Sequence, residues 1–395
     1  MGSQPTGEEN PRHVIVIAEA VPEKSYAASL TMYRHMVERP GFRVHAFCPP
    51  DMRKKSRGVF DRILDRIRNT RLHSWIASFD FFRDRRSKFE NNIPSPDELN
   101  AIKPVVLTLA HANSCWIAQR YARKHNLPLI VRFDDWWPDI PDVRPSTRKK
   151  IESAFRELYR ESDCAICISD EMKQELGDHR NVHVVRPIPG QRDVAAQPIE
   201  HSTPLRACYM GNMYDYGPML ERLVEASANE DEVVFEFRGG HPNWSTGTIE
   251  RMQQAGRLHG YADGPEFERW VESFHVYLVV MFFEPEYRIR VDTCFATKLA
   301  EYCSLGRPVV IWAPESAAIV KWSRDNDAAI CVTDPAPEAL LQRLREVASQ
   351  PEQLARFGSN ARQCYETELN PASLQKAFVN AVDSVTDSLT GPIHG

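Results

Sequence analysis

The stretch FATKLAEYCSLGRPVV, Phe295 to Val310, decides the reading of this chain. Its first half has a helical pattern in which Lys298 and Glu301, three positions apart, share one face. Thr297 and Lys298 fall in the first turn, where unpaired backbone amides and the positive end of the helix dipole add to the Lys298 ammonium. That combination suits a diphosphate. One turn deeper, the Glu301 carboxylate can accept two hydrogen bonds from the paired hydroxyls of a ribose. Leu305-Gly306-Arg307-Pro308 then ends the helix, and Val309, Val310 and Ile311 begin a buried strand. Taken alone, Lys298 and Glu301 are better explained as a surface ion pair, and the rest of the chain changes that balance.

With 395 residues the chain is too long for one ordinary core and about right for two domains. Apolar residues at 42% and charged residues at 26% describe a soluble globular protein, and no apolar run approaches the roughly 20 residues needed to cross a bilayer. The start, MGSQPTGEENPRH, is acidic and polar and lacks a secretory pattern, so residues 1–12 are expected to form a disordered tail and the protein to be cytoplasmic. Nine cysteines are scattered without framework spacing. The Cys-x-x-Cys pair, Cys164 and Cys167, lies in the apolar run CAICIS and reads as buried reduced thiols rather than a zinc or redox site. Charge is unevenly divided: residues 1–190 hold 31 basic against 25 acidic residues, and residues 191–395 hold 18 against 29. Such asymmetry bears on partners rather than on fold.

Short β-branched or apolar runs alternate with amphipathic helical patterns in both halves, the signature of parallel sheets wound by helices. The expected strands of the first half are His13 to Ala18, Arg43 to Phe47, Val105 to Leu109, Leu129 to Phe133, Cys164 to Ile168 and Val182 to Val185. Those of the second are Leu205 to Tyr209, Val233 to Arg238, Arg257 to His259, Val276 to Met281, Pro308 to Ile311 and Ala329 to Val332. Two Rossmann-like domains follow, at 13–190 and 205–370. The proline-rich stretch around 191–204 reads as their linker, and 371–395 as a final helix. No Gly-x-Gly-x-x-Gly follows the first strand of either half, which removes the main support for a twin-Rossmann dehydrogenase.

Two further segments carry chemistry. ACYMGNMYDYGPML ends a strand at Gly211-Asn212 and reopens as a helix, and glycine there lets backbone amides approach a ligand. PLIVRFDDWWPDIP runs an apolar strand into Asp134 and Asp135, then Trp136, Trp137 and Pro138, while His111 ends the strand VVLTLA at the same sheet edge, where open α/β folds bind ligands. The plainer account has the aspartates capping a turn and His111 as a structural hydrogen-bonding residue.

Together these segments resemble GT-B glycosyltransferases, most closely glycosyltransferase family 4, with Lys298, the Glu301-Tyr302 pair and Gly306-x-Pro308-Val309 in the family's order. The resemblance implies a GT-B fold, two Rossmann-like parallel-sheet domains facing each other across a cleft, with the acceptor on the first, the donor on the second and the final helix crossing back. It implies that Lys298 meets the diphosphate of a sugar nucleotide, UDP being the expected nucleotide, and that Glu301 holds the ribose. Gly211, Asn212, Arg238, Gly239, Gly240 and Tyr261 stand at strand ends where the family binds nucleotide, Tyr261 near the base, and Thr297 opens the donor helix. Asp135, Trp137 and Pro138 match the family's Asp-x-Trp-Pro segment, and Asp134 falls where relatives often have a histidine of the cleft. Transfer with retention and without a metal or other cofactor is implied, with Asp134, Asp135 or His111 orienting the acceptor.

The chain also departs from the family pattern. Thr293, preceded by Asp292, stands where many members carry an earlier glutamate. The arginine-lysine pair after the first turn of the donor domain is missing, with Arg288 and Arg290 as replacements, and Glu23-Lys24-Ser25 occupies a loop that usually holds a glycine pair. A sugar-nucleotide epimerase of the same fold, or a relative that only binds, therefore stays open.

Between Arg53 and Lys88, twelve basic residues interleave with a helical stripe of Val59, Phe60, Ile63, Leu64 and Ile67, continued by Leu72, Trp75, Ile76 and Phe79. Such a face suits an anionic membrane surface and a lipid-linked or other carbohydrate acceptor, with the protein peripheral on the inner membrane face. It equally suits packing on the sheet. Nucleic acid is not an expected partner, because no binding motif accompanies the charge.

Overall fold

Continuous runs of Val, Ile and Leu build two six-stranded sheets in which every strand pairing is parallel. The computed structural model describes residues 11–24, 27–49, 74–75, 77–79, 81, 88–140, 143–192, 204–262 and 264–386. The chain divides into one unit of Met1–Arg186 with Gln375–Gly395 and a second of Pro187–Leu374.

In the first unit the elements run β1 (Arg12–Ile17), α1 (Ala27–Met36), β2 (Phe42–Phe47), β3 (Val105–Leu109), α2 (Ser114–His125), β4 (Leu129–Phe133), α3 (Pro145–Glu161), β5 (Cys164–Cys167), α4 (Asp170–Leu176) and β6 (Val182–Val184). The sheet order is β2-β1-β3-β4-β5-β6. Parallel pairing demands helical crossovers, which cover both faces and leave the carboxyl ends of all strands at one edge. Strand order reverses between β1 and β3, so a crevice opens outside their carboxyl ends.

The second unit repeats the plan with β7 (Leu205–Gly211), α5 (Gly217–Ala226), β8 (Val233–Gly239), α6 (Thr246–Gln254), β9 (Leu258–His259), α7 (Gly264–Glu272), β10 (Val276–Val280), α8 (Arg288–Thr293), α9 (Thr297–Leu305), β11 (Val309–Trp312), α10 (Ala318–Asp325), β12 (Ile330–Val332), α11 (Pro337–Ala348) and α12 (Pro351–Glu366). Its order, β12-β11-β10-β7-β8-β9, places the reversal between β7 and β10. All twelve strands expected from the sequence are present, with ends displaced by two residues at most. The largest displacement is β7, which runs on to Gly211 because its pairing with β8 continues through Met210↔Arg238 and Gly211↔Gly239.

The last helix, α13 (Pro371–Thr386), belongs from Gln375 onward to the first unit. Phe378, Ala381, Val382 and Val385 complete a core with Val14, Val16, Leu107, Ile130 and Ile166. Arg12 donates two hydrogen bonds to the Asp383 carboxylate, at 2.5 and 2.7 Å, so Arg12 opens β1 rather than closing a tail. The expected tail lies outside the described residues up to residue 10, as does most of the linker, 193–203. Gln191 and Arg192, assigned to that linker from the sequence, are described as part of the second unit. There the Arg192 guanidinium pairs with Glu268 and Glu272, and its amide donates to Tyr365 Oη at 2.7 Å.

His35 anchors α13 from the other side. Its Nδ1 donates to Gln375 Oε1 at 2.9 Å, Gln375 donates back to the His35 carbonyl at 2.8 Å, and the ring stacks on Phe378 at 4.4 Å. The residue is 1% exposed. Burial, reinforced by the nearby Arg132 guanidinium, drives its pKa down to about 3. Between pH 6.5 and 3 the unfolded chain therefore binds a proton that the folded one refuses. The stability that His35 contributes is complete above its unfolded pKa and is lost as pH falls through this window. Urea denaturation should show this as roughly 2 kcal/mol of stability lost between pH 7 and pH 5, a loss reduced by that amount in His35→Gln. An equal loss in that variant would remove His35 as the cause.

The nine cysteines are free, and burial pushes the thiols of Cys164 and Cys167 up to about 12. Among the described residues no helix is long and apolar enough to cross a membrane, and no cluster of three or more His, Cys, Asp or Glu side chains could hold a metal ion.

Candidate functional site

In the second unit the site grows from the paired ends of β7 and β8. A Cβ on Gly239 would lie 2.1 Å from the Gly211 carbonyl oxygen, so only hydrogen fits where the two backbones meet. Gly211 has φ +122°, and a Cβ there would lie 2.5 Å from Cε of Lys298. The lysine stem thus rests on bare backbone at the strand end. Helix α9 begins beside it with Ala296 at the N-cap, which offers no side-chain acceptor to the first amides. It ends at Gly306, whose φ of 68° is the left-handed conformation that closes a helix at little cost to glycine.

Lys298 and Glu301 stand one turn apart on α9, as their spacing requires. The Lys298 ammonium donates to Tyr209 Oη at 2.9 Å, and lies 4.5 Å from the centre of that ring and 5.6 Å from that of Tyr216. Burial among these rings lowers the lysine pKa to about 8, opposed in part by Cys294 and Asp215. Glu301 Oε2 accepts the amide of Gly190 at 3.3 Å. Next to Glu301, Tyr302 accepts the Met210 amide at 3.2 Å and stacks on Tyr277 at 4.9 Å, which fixes α9 against β7 and β10.

The other expected donor residues are distributed more widely. Asn212 ties up its own turn: Oδ1 accepts the amides of Tyr214 and Asp215, and Nδ2 donates to Asp215. Arg238 leans away from Gly211 toward β9, stacked 4.5 Å over Trp270 and donating to the Gly260 carbonyl at 3.2 Å. Gly240 has open space where a Cβ would be, and Tyr261 beyond β9 is 75% exposed. Arg290 on α8 lies 5.6 Å from the Phe282 ring centre, while Arg288 pairs with Asp292. The buried Thr293 donates its hydroxyl to the Ile289 carbonyl at 2.7 Å, folding this position back on its own helix.

Tyr209 and Tyr216 were not among the residues singled out from the sequence. A signal existed for Tyr209: two residues before Gly211 in a strand, it must share that glycine's face.

In the first unit, β3 and β4 carry His111, Asp134 and Asp135 to one sheet edge. Asp134 Oδ1 accepts a hydrogen bond from Arg132 Nε at 2.7 Å, and Arg132 is 1% exposed. Burial nevertheless raises the Asp134 pKa above the ordinary carboxylate value, the Arg132 charge opposing and Asp135 adding to the rise. His111 Nδ1 lies 3.6 Å from Glu19 Oε2, and its ring is 6.1 Å from that of Trp137. Trp136 and Trp137 are buried and pack with Phe155 and Trp116. In the first loop the Lys24 ammonium lies 5.2 Å from the Tyr33 ring centre.

Most of the basic stretch 53–88 lies outside the described residues. Of its described members, Trp75 and Phe79 are 57% and 68% exposed, and the Arg144 guanidinium stacks on Trp75 at 3.6 Å.

Two Rossmann-like units, the second with Lys298 of α9 resting on the end of β7, define the class: the chain has the GT-B fold. Residues 29–190 match the model of Glycosyltransferase Family 4. Among solved structures, the chain is similar to the sucrose-phosphate synthase of Thermosynechococcus elongatus, at 13% identity and a TM-score of 0.66, covering 96% of this chain and 100% of that one. Anabaena HepE, crystallised with UDP-glucose, matches at 11% identity and a TM-score of 0.60 over 94% of this chain and 99% of its own. The lipopolysaccharide outer core galactosyltransferase WaaB matches at 16% identity and a TM-score of 0.52, over 94% and 99%. No curated protein matches the chain significantly in sequence.

Proposed function

We propose that the protein is a glycosyltransferase that moves a sugar from a nucleoside diphosphate donor, a UDP-sugar first, to a hydroxyl of a carbohydrate or lipid-linked acceptor. The observation that carries this reading is the Lys298 ammonium lying on Gly211 beside the uncapped start of α9, with the Glu301 carboxylate one turn along. Departure of the diphosphate is the demanding electrostatic event, and fixed positive charge at Lys298, aided by Arg290 and the first amides of α9 at Thr297, stabilises the charge developing on the leaving oxygen. Glu301 accepts the ribose hydroxyls. Gly211 and Gly239 supply the bare backbone on which the Lys298 stem rests, Gly240 leaves open space for the phosphates, Asn212 and Arg238 hold the surrounding turns, and Tyr261 offers a ring to the base.

On the first unit, Asp134, Asp135 and His111 orient the acceptor. Transfer with retention needs no dedicated base. If the reaction inverts, Asp134, whose carboxyl is already raised toward neutrality, is the group to take the proton. The buried, back-bonded Thr293 favours a second reading, a relative that binds a sugar nucleotide without turning it over; an epimerase would release an altered sugar nucleotide with no acceptor present.

The exposed Trp75 and Phe79 beside the basic stretch support a peripheral membrane contact on the cytoplasmic side. Flotation with anionic liposomes tests it, and absence of binding at any salt concentration disposes of it.

The donor is tested by thermal shift against UDP-, GDP-, dTDP- and ADP-sugars. A ligand at about 100 times its Kd should add about 2.7 kcal/mol of stability. The expected result is a clear rise with a UDP-sugar and with UDP itself, and no rise with any of the four would sink the proposal.

A further inference from the structure

We infer that Tyr209 is the positioning residue for the phosphate-binding lysine: its hydroxyl, with its proton committed to a backbone carbonyl, holds the Lys298 ammonium over Gly211. The inference rests on the donor-site reading above and concerns a residue to which that reading gives no part.

Tyr209 has no exposed surface. Its hydroxyl donates to the Asn212 carbonyl at 2.6 Å, which leaves only lone pairs for the ammonium 2.9 Å away. The chain of bonds therefore has one direction, from Lys298 to Tyr209 to Asn212, and it favours the charged amine over the neutral one. The ring contributes as well, its face lying 4.5 Å below the ammonium. An ammonium has three N–H bonds. One is spent on Tyr209, and two stay available to phosphate oxygens above the strand end. The same hydroxyl steadies the turn, because Asn212 gives it a carbonyl while Asn212 Oδ1 gathers the amides of Tyr214 and Asp215.

The groups facing Lys298 come from every element around it. Tyr209 stands on β7, Asp215 and Tyr216 on the turn before α5, Cys294 between α8 and α9, and Glu301 one turn along α9. Tyr209 is the one that the ammonium meets through a hydrogen bond at 2.9 Å. Burial lowers the lysine toward neutrality, with Cys294 and Asp215 opposing; the hydrogen bond accepted by the tyrosine hydroxyl adds to that opposition.

Tyr209→Phe removes the hydroxyl and keeps the ring. The Lys298 pKa should then fall by about one unit, since a hydrogen bond to a charged group is lost. UDP binding, measured by calorimetry between pH 6 and 9, should be nearly unchanged at pH 6.5, weaken about fivefold at pH 8 and approach a tenfold loss at pH 9, with the basic limb displaced to lower pH. A tyrosine that merely packs would weaken binding by one factor at all pH values, and that result overturns the inference. Failure of the wild-type protein to bind UDP overturns the donor reading and this inference with it.

Competitive acetylation of the lysines across pH, read by mass spectrometry on the wild-type protein and on Tyr209→Phe, separates the two. It needs no nucleotide. Lys298 should titrate near 8 in the wild type and about one unit lower in the variant; the same titration in both overturns the positioning claim whether or not UDP binds.

Discussion

Lys298→Met is expected to reduce donor turnover by about 10²–10³-fold, the range found when one electrostatic contact to a developing anion is removed. The same change should raise the melting temperature at pH 7. Opposite signs follow from the setting of the ammonium, which burial holds at a pKa of about 8 in the folded protein against 10.5 in the unfolded chain. Below pH 8 both states carry the proton and the folded one bears the full cost of a desolvated charge. As pH climbs from about 8 to 10.5 the folded state sheds that proton first, and the wild type regains stability relative to the variant. Methionine fills the volume without the charge. Chemical denaturation at pH 7 and pH 10 tests this: the variant's advantage should be largest at pH 7 and shrink at pH 10. A variant less stable at pH 7, or one with wild-type turnover, would remove Lys298 from the role assigned to it.

Gly239→Ala carries the largest expected cost to folding. Its new methyl would meet the Gly211 carbonyl oxygen at 2.1 Å, backbone against backbone, in a register pair that cannot separate without opening the β7–β8 ladder. A loss of about 3 kcal/mol is expected, at the upper end of the range for overpacking. Gly240→Ala is the control, because nothing lies within 4 Å of its would-be Cβ, and it should stay within about 0.5 kcal/mol of wild type. Equal stability in the two variants would refute the close approach. Because Gly211 also bears the stem of Lys298, a folded fraction of Gly239→Ala should bind UDP more weakly than the control.

Much of this architecture was legible in the chain because parallel strands buried on both faces must be apolar throughout. Val105–Leu109 and Leu129–Phe133 fall where expected, residue for residue. The ends that moved did so where pairing partners decide, as at β7, whose extension to Gly211 depends on Gly239, 28 positions away. Placement of Lys298 and Glu301 on one helical face was equally readable, since three residues on a helix always return to the same side. The ring beneath the lysine was not, because the contact joins a strand and a helix 89 residues apart. Arg238 taught the converse: its position at a strand end, where the resemblance implied nucleotide, was readable, and its stacking on a tryptophan of a later helix was not. The Arg132–Asp134 pair lies between these cases, with two residues of one strand and the following turn at a spacing that points them the same way.

The discontinuous make-up of the first unit sets the order in which the molecule can be completed. A ribosome emits β1 to β6 early, yet Phe378, Ala381, Val382 and Val385, which roof over their apolar side, emerge only after the whole of the second unit has been made. Until then a greasy surface stands uncovered on the nascent polypeptide, a natural handle for chaperones. The later-made Pro187–Leu374 stretch, by contrast, is continuous and can close its own interior without waiting for a distant segment.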